Sequence, residues 1–304
     1  MRLYVGVTDD NWFSFLEARR PDEVNFWRPS GGSTFKALSP GEPFLFKLHS
    51  PNDYIVGGGF FTKYSVLPMS LAWLAFGEKN GATSESECLA RIRRYRKGNA
   101  LSPDPEIGCI VLERPFFFPK SDWIPVPSEW KKNIVQGSGS FSQNVASALW
   151  NEVELRLGAM PVPQGVQPQE EGPGGYWGLG FHRVGQGAFR VAVTDAYGRR
   201  CAVTQEHTLP VLEAAHIRPF SAGGPHDVRN GLLLRADLHI LFDRGYVTVD
   251  EQERFVVSRR LATEWHNGKD YYSRQGSRIV VPSVLEERPS QEYLEWHRSH
   301  VFIA

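Results

Sequence analysis

The sequence predicts an α+β protein of two domains, and three observations carry that expectation. In the N-terminal half, short apolar runs are cut by turns rich in Pro, Gly, Asn and Asp, the pattern of a small twisted β-barrel with accompanying helices. In the C-terminal half, two apolar strands separated by a loop lead into a short helix. Between the halves, from about Met160 to Gly180, Pro161, Pro163, Pro168 and Pro173 with several Gly, Gln and Glu replace any apolar period, which predicts an extended tether. The expected boundaries are 1–158 for the first domain, 159–180 for the linker and 181–304 for the second.

In chain order, Leu3 to Val7 reads as the first strand. The turn Pro40-Gly-Glu-Pro43 precedes a strand over Phe44 to Leu48, and the turn Ser50-Pro-Asn-Asp53 precedes one over Tyr54 to Phe61. The run Gly57-Gly-Gly59 has no Lys-Ser/Thr after it, so a bulge or a close backbone approach explains it better than a phosphate loop. Ser84 to Tyr95 has a helical pattern, and its basic run Arg91-Ile-Arg-Arg-Tyr-Arg-Lys97 is either a nucleic-acid contact or a solvated helix face. Ile107 to Leu112 and Ile134 to Val135 are strand-like, and Val145 to Leu157 is a terminal helix.

Bulk properties narrow the class. Lys and Arg together number 34 and Asp and Glu 34, so no net positive field exists and any nucleic-acid contact must use local basic patches such as Arg199-Arg200. No apolar run approaches the roughly 20 residues that span a bilayer, and the start, Met1-Arg-Leu-Tyr-Val-Gly6, lacks a signal-peptide pattern, so a cytoplasmic protein without membrane partners is expected. Cys88, Cys109 and Cys201 are odd in number and scattered, which predicts reduced core thiols.

In the second half, Pro210 to Ala215 reads as a strand, Ser221-Ala-Gly-Gly-Pro225 as a loop and Asn230 to Arg235 as a second strand. Asp237 is expected to N-cap a helix that carries His239 and Asp243. Four positions apart, those two share a helix face and can converge on one metal ion. His216 falls at the end of the first strand, opposite that helix. A lone histidine is ordinarily only a polar residue, and His207, His226, His266, His297 and His300 are assigned that role. Residues from Tyr271 to the end carry no motif, although Glu292 to Arg298 looks helical and fits completion of the second core.

The segments Glu213-Ala-Ala-His-Ile-Arg-Pro219, Asn230-Gly-Leu-Leu-Leu234 and Leu238-His-Ile-Leu-Phe-Asp-Arg-Gly245 together resemble the HNH endonuclease family, in the form found in bacterial restriction enzymes. The resemblance implies a ββα-metal fold. It makes His216 the general base for the attacking water, Asn230 the residue that fixes the loop and orients His216, and His239 with Asp243 the holders of one divalent cation. Arg218 and Arg244 become candidate phosphate clamps. Mg²⁺ is the default ion, Mn²⁺, Co²⁺ or Ni²⁺ also suit an imidazole ligand, and products with 5′-phosphate and 3′-hydroxyl ends are expected. Two departures stand out. Ala215 occupies a position that is often Asp or His in the family, and Cys201 is the domain's lone cysteine, so no structural zinc is expected.

The order Asn25-Phe-Trp-Arg-Pro29, Phe35-Lys-Ala-Leu-Ser-Pro-Gly-Glu-Pro43, Phe44 to Leu48 and Tyr54-Ile-Val-Gly-Gly-Gly-Phe60 resembles the PUA-like superfamily, nearest to its EVE, YTH, ASCH and SRA groups. This likeness implies an aromatic pocket for a single modified base, flipped out of duplex DNA. Trp12, Phe26, Trp27, Tyr54 and Trp73 are its aromatic candidates and Asn25 and Asp53 its edge-reading ones, against the ordinary alternative that such rings fill a core. Together the two likenesses imply a modification-dependent restriction endonuclease acting on double-stranded DNA that carries 5-methyl- or hydroxymethylcytosine. A homodimer is expected, because one HNH site cuts one strand. The alternatives are an HNH nuclease specific for unmodified DNA or RNA, and a nucleic-acid-binding protein with an inactive site.

Overall fold

A computed structural model describes residues 2–32, 34–96, 102–128, 143–159 and 185–304. The expected strand at 134–135, the end of the basic run at Lys97 and the tether from 160 onward lie outside these. The chain divides into two compact units, Met1–Phe181 and His182–Ala304. Among the described residues no helix is long and apolar enough to cross a membrane.

The first unit is a six-stranded mixed sheet with helices on both faces. In chain order it contains β1 (Tyr4–Thr8), α1 (Asp10–Arg19), β2 (Glu23–Arg28), β3 (Pro43–Leu48), β4 (Tyr54–Pro68), α2 (Met69–Phe76), α3 (Glu85–Tyr95), β5 (Glu106–Phe117), β6 (Ile124–Pro125) and α4 (Gln143–Ala159). The spatial order is β1-β3-β4-β5-β2, with β6 beside β4; β1 pairs parallel to β3 and the remaining pairs are antiparallel. Alternate side chains feed two cores. One takes Phe44, Phe46 and Leu48 of β3 against Trp12, Phe13 and Leu16 of α1; the other takes Leu45 against Leu149, Trp150 and Val153 of α4. Burial on both sides explains why these strands read as continuous apolar runs.

The expected barrel does not close. Among the described residues the sheet ends at β1 and β2, with no pairing between them. One face of the open sheet is covered by α1 and a cluster of aromatic rings. Trp12 meets Phe26 at 5.3 Å and Phe46 at 5.2 Å, and Phe26 meets Phe44 at 4.7 Å. The glycine run answers the other expectation. Register shifts between Gly58 and Phe60, and a Cβ at Gly57 or Gly58 would collide with the Phe116 or Phe44 carbonyl oxygen, so bulge and close approach coincide there. The helix α3 follows its N-cap Ser84, which accepts from the Glu87 N–H at 3.2 Å. Its Arg91 donates to the Gly81 carbonyl at 2.8 Å and pairs with Glu87, a structural use of the basic run.

The second unit holds α5 (Gln186–Ala196), β7 (Leu212–His216), β8 (Gly231–Arg235), α6 (Ala236–Asp243), β9 (Val247–Val249), β10 (Phe255–Val257), α7 (Arg260–Trp265), α8 (Lys269–Tyr272) and α9 (Gln291–His300). β7 and β8 form an antiparallel ribbon with Leu212 opposite Arg235 and His216 opposite Gly231. A Cβ at Gly231 would strike Val193 and Phe189, so this glycine admits α5 against the ribbon. Ala215, Leu232, Leu233 and Leu234 join Phe189, Val193, Phe242 and Leu294 in one core. The uninterpreted C-terminus completes that core: Leu294 and His297 of α9 are buried, and the Ile303 N–H donates to the Gly245 carbonyl at 2.9 Å. Cys88, Cys109 and Cys201 are buried and form no disulfide, and burial pushes the Cys88 thiol up to about 12.

Candidate active site

In the second unit, β7, α5 and α6 converge on a pocket of about 380 Å³ whose lining includes Gln186, Phe189, Arg190, Glu213, His216, Phe220, His239 and Asp243. The ribbon delivers His216 at its open end, where the chain leaves β7 for the long loop to β8. Its ring stacks on Phe189 with centroids 3.9 Å apart and planes 14° apart. Burial, reinforced by His226 and His239, pushes its pKa down to about 4, so the imidazole is neutral at pH 7 and able to accept a proton.

Asn230 is buried and acts as a staple for the loop. Its carbonyl oxygen accepts from the Arg218 N–H at 2.9 Å, and its amide donates to the carbonyls of Arg218 and Pro225, each at 2.9 Å. The backbone agrees, since the Ile217 N–H donates to the Asn230 carbonyl and the Asn230 N–H to that of Asp227. Gly224 crosses this staple so closely that a Cβ there would collide with the Arg218 oxygen.

Asp237 is not the N-cap. The cap position is Arg235, without a side-chain hydrogen bond, and the helix begins at Ala236. The carboxylate of Asp237 is instead drawn to the Arg235 guanidinium, with contacts of 2.6 and 2.8 Å, and to the Tyr271 hydroxyl at 3.1 Å. His239 and Asp243 do share a face, Nε2 to Oδ2 at 3.3 Å. Burial raises the pKa of Asp243, with Glu213 adding to the rise and His239 opposing it.

Arg218 and Arg244 sit apart from the pocket lining. Arg218 donates through Nε to the Ala222 carbonyl at 2.8 Å and lies over the Trp296 ring at 5.5 Å, while Arg244 is exposed at the C-cap of α6. Sequence reasoning passed over three residues that do belong. Glu213 binds His239 Nδ1 at 2.6 Å. Arg190, half-buried on α5, lines the same pocket; burial lowers its pKa while Glu213 opposes that shift. His226, assigned a merely polar role, lies with Nδ1 2.9 Å from His216 Nε2. Glu213 was within reach of the sequence, three positions before His216 on the same strand; His226 and Arg190 arrive through the loop and a separate helix. Ala215, by contrast, points into the core.

The first unit has its own pocket, about 550 Å³, lined by Thr8, Asp9, Trp12, Phe26, Trp27, Ser30, His49, Tyr95 and Arg96 among others. Trp12 and Trp27 form part of it, both indole N–H groups donating to the Asn80 carbonyl, at 3.1 and 2.9 Å. Asp9 N-caps α1 through one oxygen and accepts from the Tyr95 hydroxyl at 3.3 Å through the other. Phe26 lines it as well, and the remaining expected pocket residues lie elsewhere. Asn25 is buried against Asn80, Asp53 pairs with Lys47 at 2.6 Å, Tyr54 faces Trp123 at 5.9 Å, and Trp73 sits on α2.

Residues 201–250 match the HNH endonuclease family model. That span contains β7, the stapled loop, β8 and α6, and every side chain of the pocket except those of α5 and the C-terminal segment. No curated protein matches the chain. Among solved structures, ASCH from Zymomonas mobilis aligns over 49% of this chain and 94% of its own length, with 10% identity and a TM-score of 0.33. The modification-dependent TagI restriction endonuclease aligns over 92% of this chain and 75% of its own length, with 14% identity and a TM-score of 0.27.

The HNH segment suits a divalent cation. His239 Nδ1 lies 2.6 Å from Glu213 Oε2, and its Nε2 lies 3.3 Å from an Asp243 oxygen. An imidazole nitrogen beside a carboxylate oxygen is a donor set that a divalent cation would fit. Among the described residues no group of three or more His, Cys, Asp or Glu forms a ready cage, so His239 and Asp243 would be the two protein ligands, with Glu213 orienting the imidazole from behind.

Proposed function

We propose that this chain is a modification-dependent restriction endonuclease, which reads modified cytosine in double-stranded DNA with its first unit and hydrolyses phosphodiester bonds with its second. The observation that carries the nuclease half is the convergence of His216, His239, Asp243 and Arg190 on one pocket, under a loop stapled by Asn230. In this reading the neutral His216 takes the proton of the attacking water, and Phe189 holds the ring in plane. Arg190 pairs with the non-bridging phosphate oxygens. Asn230 fixes the loop on either side of the base and so holds His216 at its working distance. A bound Mg²⁺ or Mn²⁺ supplies charge neutralisation at the phosphate and at the leaving 3′ oxygen.

The pocket of the first unit is what supports base reading. Two tryptophans held by their N–H groups and one phenylalanine give it an aromatic lining, while Asp9 and Thr8 offer acceptors of the kind that take the exocyclic amine of cytosine. A homodimer supplies the two sites that double-strand cleavage requires.

The test is cleavage of one plasmid, either fully cytosine-methylated or unmodified, by the wild type and by His216→Ala with Mg²⁺ or Mn²⁺. Cutting of the methylated plasmid alone, lost in the variant, is the expected result. Equal cutting of both plasmids removes the modification reader, and no cutting under any condition removes the nuclease.

A further inference from the structure

His226 stands ten residues from His216 on the loop, yet its Nδ1 lies 2.9 Å from His216 Nε2. The loop is tied on both sides of it. The Asn230 side chain binds the Pro225 carbonyl before it, and the Asn230 N–H binds the Asp227 carbonyl after it. Phe220 stacks on the His226 ring at 4.8 Å with planes 7° apart, and the two histidines meet at 61°. A hydrogen bond between two neutral imidazoles needs one N–H and one lone pair, so only two arrangements exist. If His226 donates, His216 carries its proton on Nδ1 and has no free lone pair. If His226 accepts, His216 carries its proton on Nε2 and presents a bare Nδ1.

We propose that His226 is a positioning residue of the hydrolytic site, accepting the Nε2–H of His216 and so holding it in the tautomer whose Nδ1 is free to take a proton. This rests on the nuclease reading of the same pocket. The arrangement does with an imidazole acceptor what a carboxylate does for the histidine of a catalytic triad.

Two variants of the full chain test this. His226→Phe keeps the ring on Phe220 but has no acceptor, whereas His226→Asn places a carbonyl oxygen near the position of Nδ1. The ring nitrogens of His216 are assigned by two-dimensional ¹H–¹⁵N NMR at pH 7.5, and kcat and KM are measured on the DNA that the wild type cuts. The expected wild-type spectrum has the His216 proton on Nε2. His226→Phe should mix the tautomers and lower kcat on the order of 100-fold with KM little changed, and His226→Asn should restore most of both. A wild-type proton on Nδ1, or a His226→Phe enzyme with wild-type kcat, overturns the proposal. A wild type that cuts no DNA overturns the nuclease reading and the catalytic role with it, while the NMR assignment still decides the tautomer.

Discussion

Replacing Asn230 by Ala is the most informative perturbation of the second unit. The side chain is buried and makes three hydrogen bonds, and its loss strands the Arg218 N–H and the carbonyls of Arg218 and Pro225. Each buried polar group left without a partner costs about 1–3 kcal/mol, and water entering from the adjacent pocket keeps the figure near the low end, so about 3 kcal/mol is expected in all. With a urea slope of about 1.5 kcal/mol/M, the unfolding midpoint of the second unit should fall by about 2 M. Hydrogen exchange over the loop between β7 and β8 should accelerate by a comparable free energy. Asn230→Asp is the sharper control. It can still accept from Arg218, but it cannot donate to the two carbonyls and sets a charge against them, so it should cost more than Ala. A midpoint shift below about 0.5 M for Ala, or an Asp variant as stable as the wild type, would refute the staple.

Three further outcomes follow from the same geometry. Glu213→Gln should weaken Mn²⁺ binding, measured by calorimetry, roughly 10- to 100-fold, because the group that orients His239 loses its charge; unchanged affinity would remove Glu213 from the site. Arg190→Ala should weaken DNA binding at low salt and reduce the magnitude of the slope of log K against log salt by about one phosphate contact, whereas an unchanged slope would show that the arginine never meets DNA. His297 is buried with its pKa pushed down to about 4, its ring bonded to Thr248 and to the Phe242 carbonyl, so the unfolded chain binds its proton first as pH falls from about 6.5. Stability should therefore drop between about pH 6.5 and 4, by up to about 3 kcal/mol from this residue, and His297→Gln should flatten that part of the urea-midpoint profile.

The ββα order was legible because its signals are local: a strand ending in His216, a loop bounded by glycines and Asn230, then a helix with His239 and Asp243 on one face. What the sequence withheld depends on approach through space. The tie between Glu213 and His239 crosses from β7 to α6, and His226 reaches His216 only because the loop folds back under Asn230. Asp237 has a cap's residue type, but the helix starts one residue before it and its carboxylate pairs with the Arg235 guanidinium. In the first unit the strands of Phe44 to Leu48 and Tyr54 to Phe61 could be read, but closure could not, since the same alternation serves a barrel and an open sheet. The helix α2, Met-Ser-Leu-Ala-Trp-Leu-Ala-Phe, is apolar nearly all round and shows little period. The helix α1 did offer a signal, the cap Asp9 followed by Trp12, Phe13 and Leu16 on one stripe.

The staple in the loop is an uncharged amide bonded to backbone groups. Dissolved ions screen interactions between charges and leave such bonds almost untouched. Near a DNA duplex, where counterions are concentrated, the grip of arginines on phosphate weakens as ionic strength rises. The site would thus lose occupancy while keeping its shape, and an ionic-strength series on this protein should move KM steeply and kcat hardly at all.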